Sequence, residues 1–208
     1  MSDYLTEQEQ IQQLKTWLKQ YGVVILAGVV IAMMGTSIWH YWENRQNKKL
    51  LHASAVYDEM LTLRAQNNPN GAVVRAKKLL IHYPRTPYAQ MAAFLLARDA
   101  VLKKEYNEAI SQLDWVIDHS HQASVRAIAQ IRMARILIAQ QKPQEALDRL
   151  NKLADKNFMG LADEVKGDAY LAMQNVTAAK EAYQMALHEL PNAEVSQPLL
   201  AIKLSNLG

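Results

Sequence analysis

The chain has 208 residues, a formal net charge of +3, half its residues hydrophobic and no cysteine, which excludes structural disulfides and thiolate chemistry. Only 7% of residues are aromatic, and seven Gly and six Pro leave long uninterrupted runs, the profile of a helix-rich protein with room for one sizeable soluble domain. The mild basicity does not by itself indicate nucleic acid.

Residues 1–20 open with Ser2 or Asp3 as possible helix caps. Ile11, Leu14, Leu18 and Tyr21 then recur at spacings of three and four beside Trp17, the pattern of a short amphipathic helix on a membrane surface. A frayed tail is the alternative.

Residues 21–42, YGVVILAGVVIAMMGTSIWHYW, are the most constrained stretch. Seventeen residues from Val23 to Trp39 carry no charge. At roughly 1.5 Å per residue, about twenty apolar residues cover the roughly 30 Å hydrocarbon layer of a bilayer. Trp17 and Tyr21 before the run, and Trp39, Tyr41 and Trp42 at its end, are amphipathic rings suited to the headgroup zone. A cleaved signal peptide would have a shorter apolar region and a small-residue cleavage site. This run ends in bulky aromatics, so the expectation is an uncleaved transmembrane anchor. Lys15 and Lys19 precede it, and Arg45, Lys48 and Lys49 follow, too even a balance to set its orientation.

Residues 43–66 have no Gly or Pro, so the helix is expected to continue from the span into a soluble domain, 43–208, with an apolar stripe of Leu50, Ala53, Tyr57, Met60 and Leu61. Polar breaks then recur: NNPNG, YPRTP, KKEYN, DHSHQA, QQKPQ, KNFMG, MQNVT and LPNAE. Between them lies a period. Ala72, Ala109, Ala146 and Ala179 are 37, 37 and 33 residues apart. Twelve residues before them stand Met60, Ala97, Ala134 and Gly167; four after, Ala76, Leu113, Leu150 and Tyr183; seven after, Leu79, Val116, Leu153 and Ala186. Pro84 and Pro191 follow the first and last by twelve.

This is the tetratricopeptide pattern, a helix-turn-helix of about 34 residues with small side chains where paired helices touch. The fold expected is all-α: a transmembrane helix, then a tetratricopeptide-like α-solenoid of about four helical hairpins. Ala97, Ala109, Ala134, Ala146, Gly167 and Ala179 serve as packing points. The three extra residues in two repeats lengthen turns or helices. Stacked repeats need covered ends, and Val195 to Leu207, with Leu199, Leu200, Ile202 and Leu204, reads as a capping helix.

No phosphate loop, nucleophile elbow or metal-binding His pair on one helix face is present. His119 and His121 in a turn lack further ligands, and no catalytic residue, metal ligand or cofactor is expected. In such a repeat the first helices line a groove that takes a peptide or helix. The phase places Met91, Phe94 and Arg98 there, then Ile128, Ile131 and Arg135, then Leu161, Glu164 and Asp168. Apolar pockets and arginines can hold an extended chain through burial and hydrogen bonds to its carbonyls or carboxylates. The same charges can instead pair between neighbouring helices and support the stack. From Arg64 to Lys104 there are eight basic residues and one acid; from Asp155 to Glu194, seven acids and three Lys. The basic half suits anionic headgroups or an acidic partner. It lacks the interleaved aromatics of a nucleic-acid platform.

The start YLTEQEQIQQLKTWLKQYG, the span ending Trp39-His40-Tyr41-Trp42, the run Ile131-Arg132-Met133-Ala134-Arg135, DEVKGD from Asp163 to Asp168 and the ending Lys203-Leu204-Ser205-Asn206-Leu207 together resemble the YfgM family. These are ancillary subunits of the SecYEG translocon. The resemblance covers the whole chain, and the order of its motifs carries it. It implies a single-pass inner-membrane protein with a cytoplasmic amino terminus and a periplasmic repeat domain. The implied partners are the translocon, the membrane-tethered periplasmic foldase PpiD and polypeptides emerging across the membrane, and no catalytic residues are implied. A membrane-tethered envelope or cell-division regulator is the alternative use of the same architecture.

Overall fold

The computed structural model describes residues 7–189 and 196–207, and Ser2, Asp3, Pro191, Val195 and the LPNAE break lie outside them. The described residues form helices and turns, with no strand among them. The chain divides into two compact units, 1–51 and 52–208.

In the first unit, helix α1 (Glu7–Ala65) carries the apolar run. Its most apolar 18-residue window has a mean hydropathy of 2.1 and no buried residue, so it is long and apolar enough to cross a membrane. The hydroxyls of Thr36 and Ser37 donate to the Met33 carbonyl at 2.9 and 2.8 Å. Such back-bonding satisfies polar groups where no water is at hand. The Trp17 and Tyr21 rings lie 5.8 Å apart, and Trp39, Tyr41 and Trp42 are exposed.

The second unit takes the last residues of α1 and then α2 (Pro69–His82), α3 (Pro87–Leu102), α4 (Tyr106–His119), α5 (Ala123–Ala139), α6 (Pro143–Leu150), α7 (Met159–Ala172), α8 (Val176–Glu189) and α9 (Ser196–Ser205). Helices α2 to α9 pack each on the next, and Ala53, Val56, Tyr57 and Met60 of α1 share a core cluster with Ala72, Ala76 and Leu79 of α2, so α1/α2, α3/α4, α5/α6 and α7/α8 are the four hairpins. Pro69, Pro87 and Pro143 stand at helix starts, where a missing N–H costs nothing. The KNFMG break is a 3-10 turn, Lys156–Phe158, running directly into α7.

One turn geometry recurs in all four hairpins. Asn67, Lys104, Gln141 and Gln174 have φ of 54, 61, 64 and 62°, and they are spaced by the same 37, 37 and 33 residues as the repeat. The next residue's N–H reaches back five positions each time: Asn68 to Leu63, Glu105 to Ala100, Lys142 to Leu137 and Asn175 to Tyr170, all at 2.8–2.9 Å. That is the Schellman closure of a helix end, here built without glycine. The three-residue turns match, so the longer repeats get their extra length chiefly from the first helices. Helices α3 and α5 have 16 and 17 residues against 14 in α7.

All sixteen positions of the repeat phase, from Met60 to Ala186, are buried. Alanines at these sites let the helices approach, and leucines and valines fill the remaining space. Trp115 packs against the core clusters of both the first and the middle hairpins. A third cluster joins Ala179, Tyr183 and Ala186 to Leu200 of α9, with Leu204 and Leu207 alongside. Helix α9 therefore caps the last hairpin through Leu200 and Leu204, while Leu199 and Ile202 remain exposed.

Candidate functional site

The nine residues expected in a groove fall on the first helices α3, α5 and α7, and their environments differ from one hairpin to the next. On α3, Met91 is 47% exposed, Phe94 is half-buried and Arg98 is exposed. The next residue, Asp99, receives two hydrogen bonds from Arg64, one from Nη2 at 2.9 Å and one from Nη1. These bonds hold the Asp99 carboxyl below its usual value against the opposing effect of burial, and they raise the Arg64 guanidinium in turn.

On α5, Ile128 is half-buried, but Ile131 is only 4% exposed and belongs to the main core. It is not a groove pocket. The surface position beside it is Arg132, whose guanidinium lies over the Phe94 ring at 4.6 Å. Burial pushes the Arg132 guanidinium down from its ordinary value, and the neighbouring Arg135 adds to the effect. Arg98, Arg132 and Arg135 thus line α3 and α5 beside Met91 and Phe94.

On α7 the surface closes. Leu161 packs against the main core. Glu164 is 6% exposed, with Arg135 Nη2 at 3.6 Å and Lys203 Nζ at 3.0 Å from its carboxylate oxygens. Lys203 also donates to both oxygens of Asp168, at 2.7 and 3.0 Å. The Tyr183 hydroxyl donates to Asp168 at 2.7 Å, and burial followed by that bond pushes its ionisation well above the ordinary value. The acidic slots are therefore filled by the chain's own closing helix. Met91, Arg98, Arg132 and Arg135 of α3 and α5 are exposed, whereas Glu164 and Asp168 of α7 pair with α5 and α9.

Sequence reasoning passed over Arg132 and Lys203 as site residues. A signal existed for the second. Three inter-helix ion pairs, Arg64 with Asp99, Arg149 with Asp114 and Lys203 with Asp168, each join residues 35 apart, close to one repeat. His119 stacks on Trp115 with centroids 4.3 Å apart, and its Nδ1 is 2.9 Å from the Trp115 carbonyl. His121 is exposed beside it, and no group of three metal-ligating side chains occurs among the described residues.

A family profile described as tetratricopeptide repeat-like domain matches residues 15–208. The chain belongs to this family. Curated relatives extend the match over the whole length. The chain is 28% identical over 209 residues to a protein of Neisseria gonorrhoeae, 24% over 207 to one of Haemophilus influenzae and 22% over 208 to one of Escherichia coli. In all three cases both chains are covered completely, and each relative is named ancillary SecYEG translocon subunit. The resemblance to the YfgM family read from the residues is thereby borne out, as is the all-α architecture of an apolar helix followed by a tetratricopeptide-like stack. With its exposed apolar helix, this member of the family is a membrane-anchored protein.

Proposed function

We propose that this chain is a non-catalytic scaffold of the SecYEG translocon. On this reading it is held in the inner membrane with a cytoplasmic amino terminus and a periplasmic repeat domain, and it assists translocated polypeptides together with a membrane-tethered foldase of the PpiD kind. One observation carries the reading: end-to-end correspondence with relatives named ancillary SecYEG translocon subunit, in a chain that joins one apolar helix to a helical-repeat unit. Repeat stacks of this type act by presenting a surface. Tethering raises the effective concentration of that surface for weak clients. The α3–α5 face is the candidate surface, with Met91 and Phe94 for apolar contact and Arg98, Arg132 and Arg135 for carbonyls or carboxylates.

Photocrosslinking residues at Met91 and Phe94 in intact cells test this reading. Adducts to translocon subunits, to the foldase or to nascent exported chains are expected. Capture of lipid alone, or of nothing, sinks the α3–α5 surface. Topology has its own test, because the chain has no cysteine. A single cysteine at Ser111 is expected to react with a membrane-impermeant maleimide once the outer membrane is opened, and failure to react before cell lysis rejects the periplasmic placement.

A further inference from the structure

The outer face of α2 differs from those of the other second helices. Val74, Lys77, Lys78 and Ile81 stand at spacings of three and four on one side of α2, opposite the buried Ala72, Ala76 and Leu79. Val74 is 59% and Ile81 70% exposed, and both lysines are exposed. Helix α2 contains no acid, and its other strong base, Arg75, is already paired with Glu59 at 2.7 Å. Among the described residues no ion pair holds Lys77 or Lys78.

The repeat supplies its own controls. The same four slots hold Ser111, Asp114, Trp115 and Asp118 on α4, and Glu181, Gln184, Met185 and His188 on α8. In the third hairpin they hold Asp148, Asn151, Lys152 and Asp155, on α6 and just beyond it. Packing therefore does not demand a basic and apolar outer face at these slots, since three hairpins of the same stack do without one. Exposed valine and isoleucine flanking two unpaired lysines form the pattern of a helix that lies on an anionic lipid surface: the ammonium groups meet phosphates and the aliphatic side chains enter the acyl boundary.

We propose that the α2 outer face docks on the anionic surface of the bilayer that holds the anchor. The charge on α2 is complementary to such a surface.

The test uses the full chain reconstituted in vesicles of phosphatidylcholine with one third phosphatidylglycerol, and in vesicles of phosphatidylcholine alone. A single cysteine replaces Ile81, Val74 or, as control, Ser111, and carries a polarity-sensitive fluorophore. Labels at 81 and 74 are expected to shift to the blue and to be quenched by brominated lipid when phosphatidylglycerol is present, with the label at 111 unaffected. Each lysine near such a surface is worth roughly a fivefold change in partitioning, so Lys77→Gln/Lys78→Gln lowers the docked-to-undocked ratio roughly 25-fold. A label at 81 no more quenched than at 111, quenching that persists without phosphatidylglycerol, or a shift seen only when an acidic protein is added would each overturn the proposal. These outcomes are independent of what is captured at Met91 and Phe94.

Discussion

The ring of Tyr183 stands where a side chain on Gly167 would have to be: a Cβ built there lies 2.3 Å from Cε1 and 2.4 Å from Cδ1. The ring has little freedom to yield, since its hydroxyl is bonded to Asp168 and its body is buried between α7 and α9. Gly167→Val is expected to destabilise the repeat unit by about 2–3 kcal/mol through overpacking. Gly167→Ala costs less, because alanine's better helix propensity offsets about 1 kcal/mol. Denaturant midpoints of the two variants check the ordering, and an unchanged valine midpoint would refute the close approach.

The four left-handed turn residues predict gains. Lys104 and Gln141 adopt φ of 61 and 64°, a region where a Cβ is strained and glycine is not. Lys104→Gly and Gln141→Gly are each expected to stabilise by about 0.5–1 kcal/mol. Lys103→Gly, one residue earlier at φ −85°, removes helix-end propensity without relieving strain and is expected to destabilise. Thermal melts of the three variants separate the two cases.

Acid lability is expected from Asp99. Its native carboxyl is held below the ordinary value of about 3.9 by hydrogen bonds from Arg64. The stabilisation is complete above that ordinary value and fades as pH falls through the lowered native one, while Arg64 stays charged throughout. Asp99→Asn is expected to cost about 1–2 kcal/mol at neutral pH, reduced from a buried pair's value because both side chains keep partial exposure. The difference from wild type closes in acid, and a difference that is flat with pH would refute the assignment.

Removal of Lys203 leaves Glu164, almost fully buried, with the Arg135 contact at 3.6 Å as its one ion pair among the described residues. Lys203→Met is expected to destabilise by about 3 kcal/mol, since breaking one side of a buried pair strands the other charge. The loss concentrates at the carboxyl end, so hydrogen exchange in α9 rises before that in α5. Uniform loss across all hairpins would argue against a docked capping helix.

The repeat was legible because it is written in residue size. Met60, Ala97, Ala134 and Gly167, with their partners twelve to nineteen positions further on, are small or apolar wherever two helices meet, and every one is buried. The turns were visible only as polar breaks, because glycine, the usual mark of a left-handed helix end, is absent from all four. Ile131 was misplaced for a geometric reason. Helix α5 packs against α4, α6 and α7 together, so more of its circumference is buried than a one-sided stripe implies, and Arg132 becomes the surface residue. The ion pairs at a separation of 35 required knowing which helices adjoin, which periodicity alone does not supply.

The seating of Leu200 and Leu204 has a bearing on assembly. An array whose final unit bares a greasy flank invites the next molecule to add on, and head-to-tail contacts of that kind need not close into rings. Here Leu200 and Leu204 cover the apolar flank of the last hairpin from within the same polypeptide.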